Sequence, residues 1–425
     1  MLLGFSIGLI LLLMAGTPVA FALCLAGLAG MFLFLDGAAS FPQVPLIAYK
    51  TLDDFVLTAV PLYIFMSNIL LKGKVGNDLF ELGSKWLGHL PGGLGVATVF
   101  ACAIFAAISG SSVATAVTIG AMAIPEMLHR GYERTSVLGT VAAGGTLGIL
   151  IPPSIPMILY GSITGESVGK LFLSGIVPGL LLTLLFIAYV VFRAHTMPRQ
   201  QAASWAERFT ALRHSIWGLL LPIIVVGGIY TGLFTPTEAA AVGTVYSLLI
   251  TFFVYRTLHV RDMMDIFRDS VKTTSMIFAI MIGAMLFGFV LTILQVPQAL
   301  MHVVADANVN RWFVFIGINI VLLILGCVLE TVSIILITLP IIYPIMKHLG
   351  FDLIWFNVVM LINMELALIS PPIGMNLFVI QGISPDSKIQ QIIAGSIPFA
   401  LLMVAEIVLL CFVPQLATWL PSVIK

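Results

Sequence analysis

"LGILIPPSIPM" (residues 147–157) and "LALISPPIGMN" (residues 366–376) overlie one another without a gap at an offset of 219 residues. Each is an apolar stretch of the kind that spans a bilayer, interrupted by a proline pair. Pro152 and Pro153, like Pro371 and Pro372, carry no amide proton and push the preceding residue out of helical geometry. Backbone freed at membrane depth is tolerated only where it is buried in protein or lines a wet cavity. Two such breaks in two copies of one pattern therefore predict a site assembled from both.

The composition sets the solvent. The chain has 425 residues, 60% hydrophobic and 9% charged, with no net charge. This is the profile of an all-α polytopic membrane protein. A balanced charge offers no basic surface for nucleic acid. Cys24, Cys102, Cys327 and Cys411 lie far apart in apolar runs and read as buried small hydrophobes, not as a metal or redox motif. The opening "MLLGFSIGLILLLMAGTPVA" has no Lys or Arg ahead of its apolar run, so it reads as a first span and not as a cleaved signal.

Apolar runs of spanning length fall near 1–15, 19–35, 55–71, 136–164, 172–192, 215–234, 239–255, 274–294, 353–382 and 392–420. Residues 94–128 and 313–346 differ, with "ISGSS" and "GCVLETVS" at mid-length. Each half is short for a crossing, and both stretches read as re-entrant hairpins. The 219-residue offset also pairs Val113 with Val332, Pro125 with Pro344, His129 with His348 and Gly131 with Gly350. The chain thus reads as two repeats, 1–192 and 215–425, joined by a cytoplasmic connector at 193–214. The first holds hairpin 94–128 and broken helix 136–164; the second holds hairpin 313–346 and broken helix 353–382. Five crossings per repeat is an odd number, so the second copy is inverted, the plan of secondary transporters with a midplane site between repeats. This topology leaves only Lys50, Lys170, Arg311, Lys347 and Lys425, of 19 Lys and Arg, away from the cytoplasm. It also places both chain ends outside the cytoplasm. Residues 77–90 and 256–273 are amphipathic at helical spacing and suit helices lying along the membrane surface.

The polar side chains at the four breaks are Ser109, Ser111, Ser112, Thr115, Thr146, Ser154, Glu330, Thr331, Ser333, Asn363, Glu365, Ser370 and Asn376. Hydroxyls with freed carbonyls make a hard oxygen cage suited to Na⁺, and no His/Cys cluster offers a transition-metal alternative. Intramembrane acids are functional candidates, Glu330 foremost. Glu238, in "TPTEAAA", sits where a carboxylate stabilises the first turn of a helix. No Arg or Lys falls at a break, so an anionic substrate would be offset by helix N-termini, amides and bound cations, which links its binding to the ion's.

"SGSSVATAVTIGAMAIP", "GTLGILIPPSIPMILYG", "TPTEAAAVGTVYSLL" and "ISPPIGMNLFVI" resemble the large membrane subunit of TRAP transporters, the tripartite ATP-independent periplasmic system, over essentially the whole chain. The resemblance implies an elevator-type fold with a scaffold and a moving transport domain, in the bacterial inner membrane. It implies two partners, a small four-helix membrane subunit and a soluble periplasmic substrate-binding protein. Because no fused small subunit precedes Met1, that partner is expected as a separate chain. It further implies sodium-driven uptake of a carboxylate, such as a C4-dicarboxylate or a sialic acid, with Na⁺ as coupling ion and no cofactor. The family's motifs carry onto Ser109, Gly110, Ser111, Ser112, Gly145, Gly148, Pro152, Ser154, Glu330, Thr331, Pro371, Pro372 and Gly374. At the second tip this chain has Glu330 where the family more often has Asp.

Taken together, Ser109, Ser111, Ser154, Glu330, Gly374 and Asn376 are expected to face substrate. Gly110, Ser112, Thr115, Gly145, Gly148, Ile151, Pro152, Thr331, Ser333, Asn363, Ser370 and Pro371 are expected around Na⁺. An alternative couples transport to protons through Glu330 or Glu365. A different class is an intramembrane serine hydrolase, but no histidine neighbours the tip serines at catalytic spacing.

Overall fold

The computed structural model describes residues 8–9, 11–13, 15–194, 201–306 and 309–424. Much of the expected first span, residues 195–200 of the connector and both chain ends lie outside them. Every regular element among the described residues is helical. In the first half, α1 (Val19–Phe34), α2 (Gln43–Leu52), α3 (Ala59–Lys72) and α4 (Val75–Leu87) lead into α5 (Gly93–Ser109) and α6 (Ser112–His129). Then come α7 (Arg134–Thr146), α8 (Ile155–Thr164) and α9 (Val168–Arg193). The second half opens with α10 (Trp205–Tyr230), α11 (Pro236–Leu249), α12 (Asp262–Ile293) and α13 (Val296–Asp306). It continues with α14 (Arg311–Gly326), α15 (Thr331–His348), α16 (Leu353–Leu368), α17 (Met375–Ile383), α18 (Ile389–Phe412) and α19 (Gln415–Val423). Helices α6 and α15 begin and end 219 residues apart. The Pro152–Pro153 and Pro371–Pro372 bonds are both cis.

Length sorts these helices by what they can do. Seven segments among the described residues are long and apolar enough to cross a membrane, among them α9, α10, α12 and α18. The 26 residues of α9 extend about 39 Å at about 1.5 Å per residue, against a hydrocarbon core of about 30 Å. Helices α5, α8, α14 and α16 are apolar but shorter. The ten residues of α8 cover only about half the core.

The amphipathic stretch at 77–90 belongs to α4, whose Val75, Leu79 and Leu82 are buried as the helix packs on α5 and α10. The stretch at 256–273 is not a separate surface helix: from residue 262 it forms the first turns of α12, which runs unbroken to Ile293. No proline and no early glycine interrupts 262–282, so the surface pattern passes straight into a span. Val260, Met264, Phe267 and Val271 stay exposed, a face suited to lipid. The expected span at 392–420 divides instead, since Pro414 separates α18 from α19. Cys102 and Cys327 are buried as expected, whereas Cys24 and Cys411 are only partly so. Glu238 closes a capping box with Thr235 at the start of α11, the structural role expected of it.

The two halves meet through backbone. A Cβ on Gly139 of α7 would lie 2.0 Å from the Gly395 carbonyl oxygen of α18, and one on Gly395 would lie 2.1 Å from the Thr135 carbonyl oxygen. Only glycine permits that approach, as at small-residue helix crossings in membranes. Gly139→Ala is therefore expected to destabilise the protein by about 3 kcal/mol, the upper end for overpacking. An unchanged melting temperature of the purified variant would show the crossing to be dispensable.

Candidate functional site

The first hairpin tip is a tight turn between α5 and α6. Gly110 sits at φ +59°, a left-handed conformation open to glycine, and a Cβ there would lie 2.7 Å from the Pro153 carbonyl oxygen. Ser111 caps α6 by accepting from the Ala114 amide at 3.4 Å. Ser109 and Thr115 share a hydroxyl–hydroxyl bond of 3.0 Å, and Thr115 Oγ1 lies 2.8 Å from the Ser111 carbonyl oxygen. Gly148 seats this tip on the first break, because a Cβ there would lie 2.5 Å from Ser111 backbone atoms.

The second tip is tied to the second break. Cys327 Sγ donates to the Pro371 carbonyl at 3.4 Å, and the Gly374 amide donates to the Cys327 carbonyl at 3.3 Å. Glu330 occupies the N-cap position of α15 without accepting from that helix's amides. Its Oε1 accepts from Ser333 Oγ at 3.1 Å. The carboxylate is therefore not consumed in capping.

Each break restarts a helix, and each restart carries a buried polar side chain without a protein partner. Ser154, at the N-cap position of α8, is fully buried and its hydroxyl makes no hydrogen bond. Asn376, in the first turn of α17, is also fully buried, and neither amide atom is paired. Asn376 Nδ2 sits beside Gly145, 3.3 Å from where a Cβ there would stand. Buried polar groups are normally paired, so an orphan at a helix N-terminus is a candidate for completion by a ligand or a water.

These parts converge on a cavity of about 140 Å³. Gly110, Ser111, Ser112 and Val113 line it from the first tip, and Glu330, Thr331 and Val332 from the second. Ile149, Ile155 and Pro156 come from the first break, with Leu368 and Met375 from the second. Glu330 is the one ionisable group among the lining residues. Of the expected residues, Gly110, Ser111, Ser112, Glu330 and Thr331 reach the cavity. Ser109, Thr115, Gly145, Gly148, Ser154, Ser333, Gly374 and Asn376 do not line it; they lie within the tips, the first broken helix and the helix restarts. Asn363 is instead engaged with α14, its Nδ2 donating to the Asn319 carbonyl at 2.8 Å and to Asn319 Oδ1 at 2.7 Å. Ser370 Oγ donates back to the Leu366 carbonyl at the end of α16 at 2.7 Å. Ile151 packs against Gly179.

Two features escaped the sequence. Thr273, Met276 and Ile277 of α12 form a further wall of the cavity, and their helical spacing was the only trace of a shared face. Glu365, a candidate proton carrier in the sequence, bonds Ser112 across 253 residues. Nothing in sequence spacing announces such a pair.

With this geometry in hand, comparison with known proteins gives a consistent answer. Residues 6–416 match the family described as "Tripartite ATP-independent periplasmic transporter, DctM component". The "C4-dicarboxylate TRAP transporter large permease protein DctM" of Pseudomonas aeruginosa is 39% identical, with 93% of each chain covered. The protein of the same description from Rhodobacter capsulatus is 38% identical, with 98% of each chain covered. The crystal structure of the Alcanivorax borkumensis YdaH transporter aligns with a TM-score of 0.62 over 91% of this chain and 90% of that one, at 14% identity. That likeness is one of fold alone. The family matched is one of transporters, not of enzymes, and the serine-hydrolase alternative falls away with it. A helical chain with two proline-broken helices facing two hairpin tips, matched along nearly its full length, belongs to the DctM family of TRAP transporter large permease subunits.

Proposed function

We propose that this chain is the translocating subunit of a sodium-coupled symporter that imports an organic acid anion by an elevator motion. The carrying observation is the pair of orphan side chains, Ser154 and Asn376, at two helix restarts behind one cavity. Buried hydroxyl and amide oxygens at such places fit a hard cation, while the N-terminal ends of α8 and α17 favour an anion. An ion and an anion bound side by side each lower the cost of the other, and that is the electrostatic requirement of symport.

Cavity size supports a small acid. A buried water needs about 10–15 Å³ of such space, so the cavity admits on the order of ten ligand atoms. A C4-dicarboxylate, with about eight non-hydrogen atoms, meets that limit, and a sialic acid, with about twenty, exceeds it. The relatives named for C4-dicarboxylate point the same way. A thermal-shift screen of the cognate binding protein against both acids tests this choice.

The matching bounds of α6 and α15 and the proline pairs 219 residues apart support two inverted repeats, 1–192 and 215–425, about the connector 193–214. In this reading the chain lies in a bacterial inner membrane with both ends periplasmic. It works with a small membrane subunit and a soluble binding protein that delivers substrate to the outer face. In vesicles holding the complete complex, replacing external Na⁺ by choline is expected to slow uptake at least about tenfold, the scale of a strong site–site coupling. Uptake that ignores Na⁺ and follows a proton gradient would replace this reading with coupling through Glu330 or Glu365.

A further inference from the structure

We propose that Glu365 is a positioning residue that clamps the first hairpin tip to both broken helices, so that groups from the two halves face the ligands together. The proposal rests on the ion-coupled reading above. Glu365 lies on α16, fully buried, yet its partners belong to the other half of the chain. Ser112 Oγ stands 2.6 Å from Oε1 and 2.5 Å from Oε2. The backbone amide of Ile149, in the first break, faces the same carboxyl.

The Ile149 amide faces Glu365 across a gap in the broken helix's own bonding. The amides of Leu147, Gly148, Leu150 and Ile151 all find carbonyls within residues 144–147. Ile149 alone of this run has no carbonyl acceptor among the described residues, and the Glu365 carboxyl is the polar group its amide faces; a buried amide left without any acceptor would destabilise the break. Ser112 opens α6, whose start a single hydroxyl fixes against Glu365. Ser112, Ile149 and Leu368 each line the cavity, whereas Glu365 does not. One side chain thus ties three walls together while standing behind them.

The clamp exists once. The residue 219 positions earlier, Thr146, turns its hydroxyl to Ala143 of its own helix at 2.6 Å. The first tip is therefore locked to the second half by a bond that the overlying position does not make, and the register of both ligand-facing sets depends on Glu365.

The test uses the complete complex in vesicles, with Glu365→Ala, Glu365→Gln and Ser112→Ala. Two readouts are followed: the Na⁺ concentration for half-maximal uptake, and the rate at which a water-soluble maleimide labels Val113→Cys once the four native cysteines are replaced. Glu365→Ala is expected to raise both about tenfold, the scale of leaving one buried hydrogen-bonding group without its partner. Glutamine keeps an acceptor for Ile149 and a polar partner for Ser112, so Glu365→Gln is expected to restore both to within about threefold of wild type. Should Glu365→Ala fail to fold, Ser112→Ala opens the same clamp and is expected to speed labelling. Glutamine behaving like alanine would mean that charge and not position is the role, and unchanged labelling in the alanine variants would equally overturn the clamp. If wild-type uptake ignores Na⁺, the coupling reading fails, and the labelling rates still decide whether the clamp exists.

Discussion

Glu330→Ala is expected to slow uptake at least about a hundredfold, while the protein still folds and assembles. The expectation follows from what the carboxylate does not do. It stands at the N-cap position of α15, where an acid ordinarily bonds its own helix, yet no amide of that helix reaches it. Among the described residues its one hydrogen-bond partner is the Ser333 hydroxyl, and it is the sole ionisable side chain on the cavity wall. Removing it therefore takes about 1 kcal/mol or less from stability. Truncating a partly desolvated charge that meets a ligand costs about 3 kcal/mol, close to a hundredfold. Glu330→Gln separates the two contributions: it retains an acceptor for Ser333 but not the charge, and is expected to fold as wild type and transport as poorly as alanine. Glu330→Asp keeps the charge one methylene further back and is expected to lie between them. Counterflow measurements on the reconstituted complex decide the matter, and wild-type rates in Glu330→Ala would remove Glu330 from the site.

How much of this could be read from the chain depends on the range of each interaction. The breaks were legible because proline acts locally: Pro152, Pro153, Pro371 and Pro372 cannot continue a helix whatever surrounds them, and α7 and α16 end ahead of them at Thr146 and Leu368. The tips were legible for a similar reason, as "ISGSS" and "GCVLETVS" contain the residues that leave helices most readily. Glu238 was placed correctly because a capping box closes within four residues. What lay hidden was pairing over distance. Ser112 and Glu365 each carry a plausible local role, and only the fold selects the bond between them. Asn363 looked like an ion ligand by its place near a break, but helical rotation turns its amide to Asn319. The wall supplied by α12 was masked because its amphipathic start imitates a surface helix until the sequence is followed through residue 293.

Gly148→Ala is expected to cut uptake about a hundredfold, the scale that follows when reacting groups shift by about 1 Å, although it adds a single methyl group. That methyl would lie 2.5 Å from the carbonyl carbon and oxygen of Ser111 and 2.6 Å from the Ser112 amide nitrogen. All three are backbone atoms of the first tip, so no side chain can rotate aside. Carbon contacts settle near 3.5–4.0 Å, which obliges the tip or the break to withdraw by about 1 Å. The displacement falls where tolerance is least: Gly110 already leaves no room for a Cβ against Pro153, and Ser112 is held to Glu365. The strain of about 1–3 kcal/mol leaves the protein folded, but the tip no longer sits where the cavity needs it. Gly317→Ala supplies the control. A Cβ on Gly317, within α14, meets nothing within 4 Å, and alanine in a helix interior is favoured over glycine by about 0.5–1 kcal/mol. That variant is expected to melt slightly higher and to transport normally. Equal transport by Gly148→Ala and Gly317→Ala would mean that the first tip does not rest on the broken helix while substrate is carried, and the site built from both would come apart.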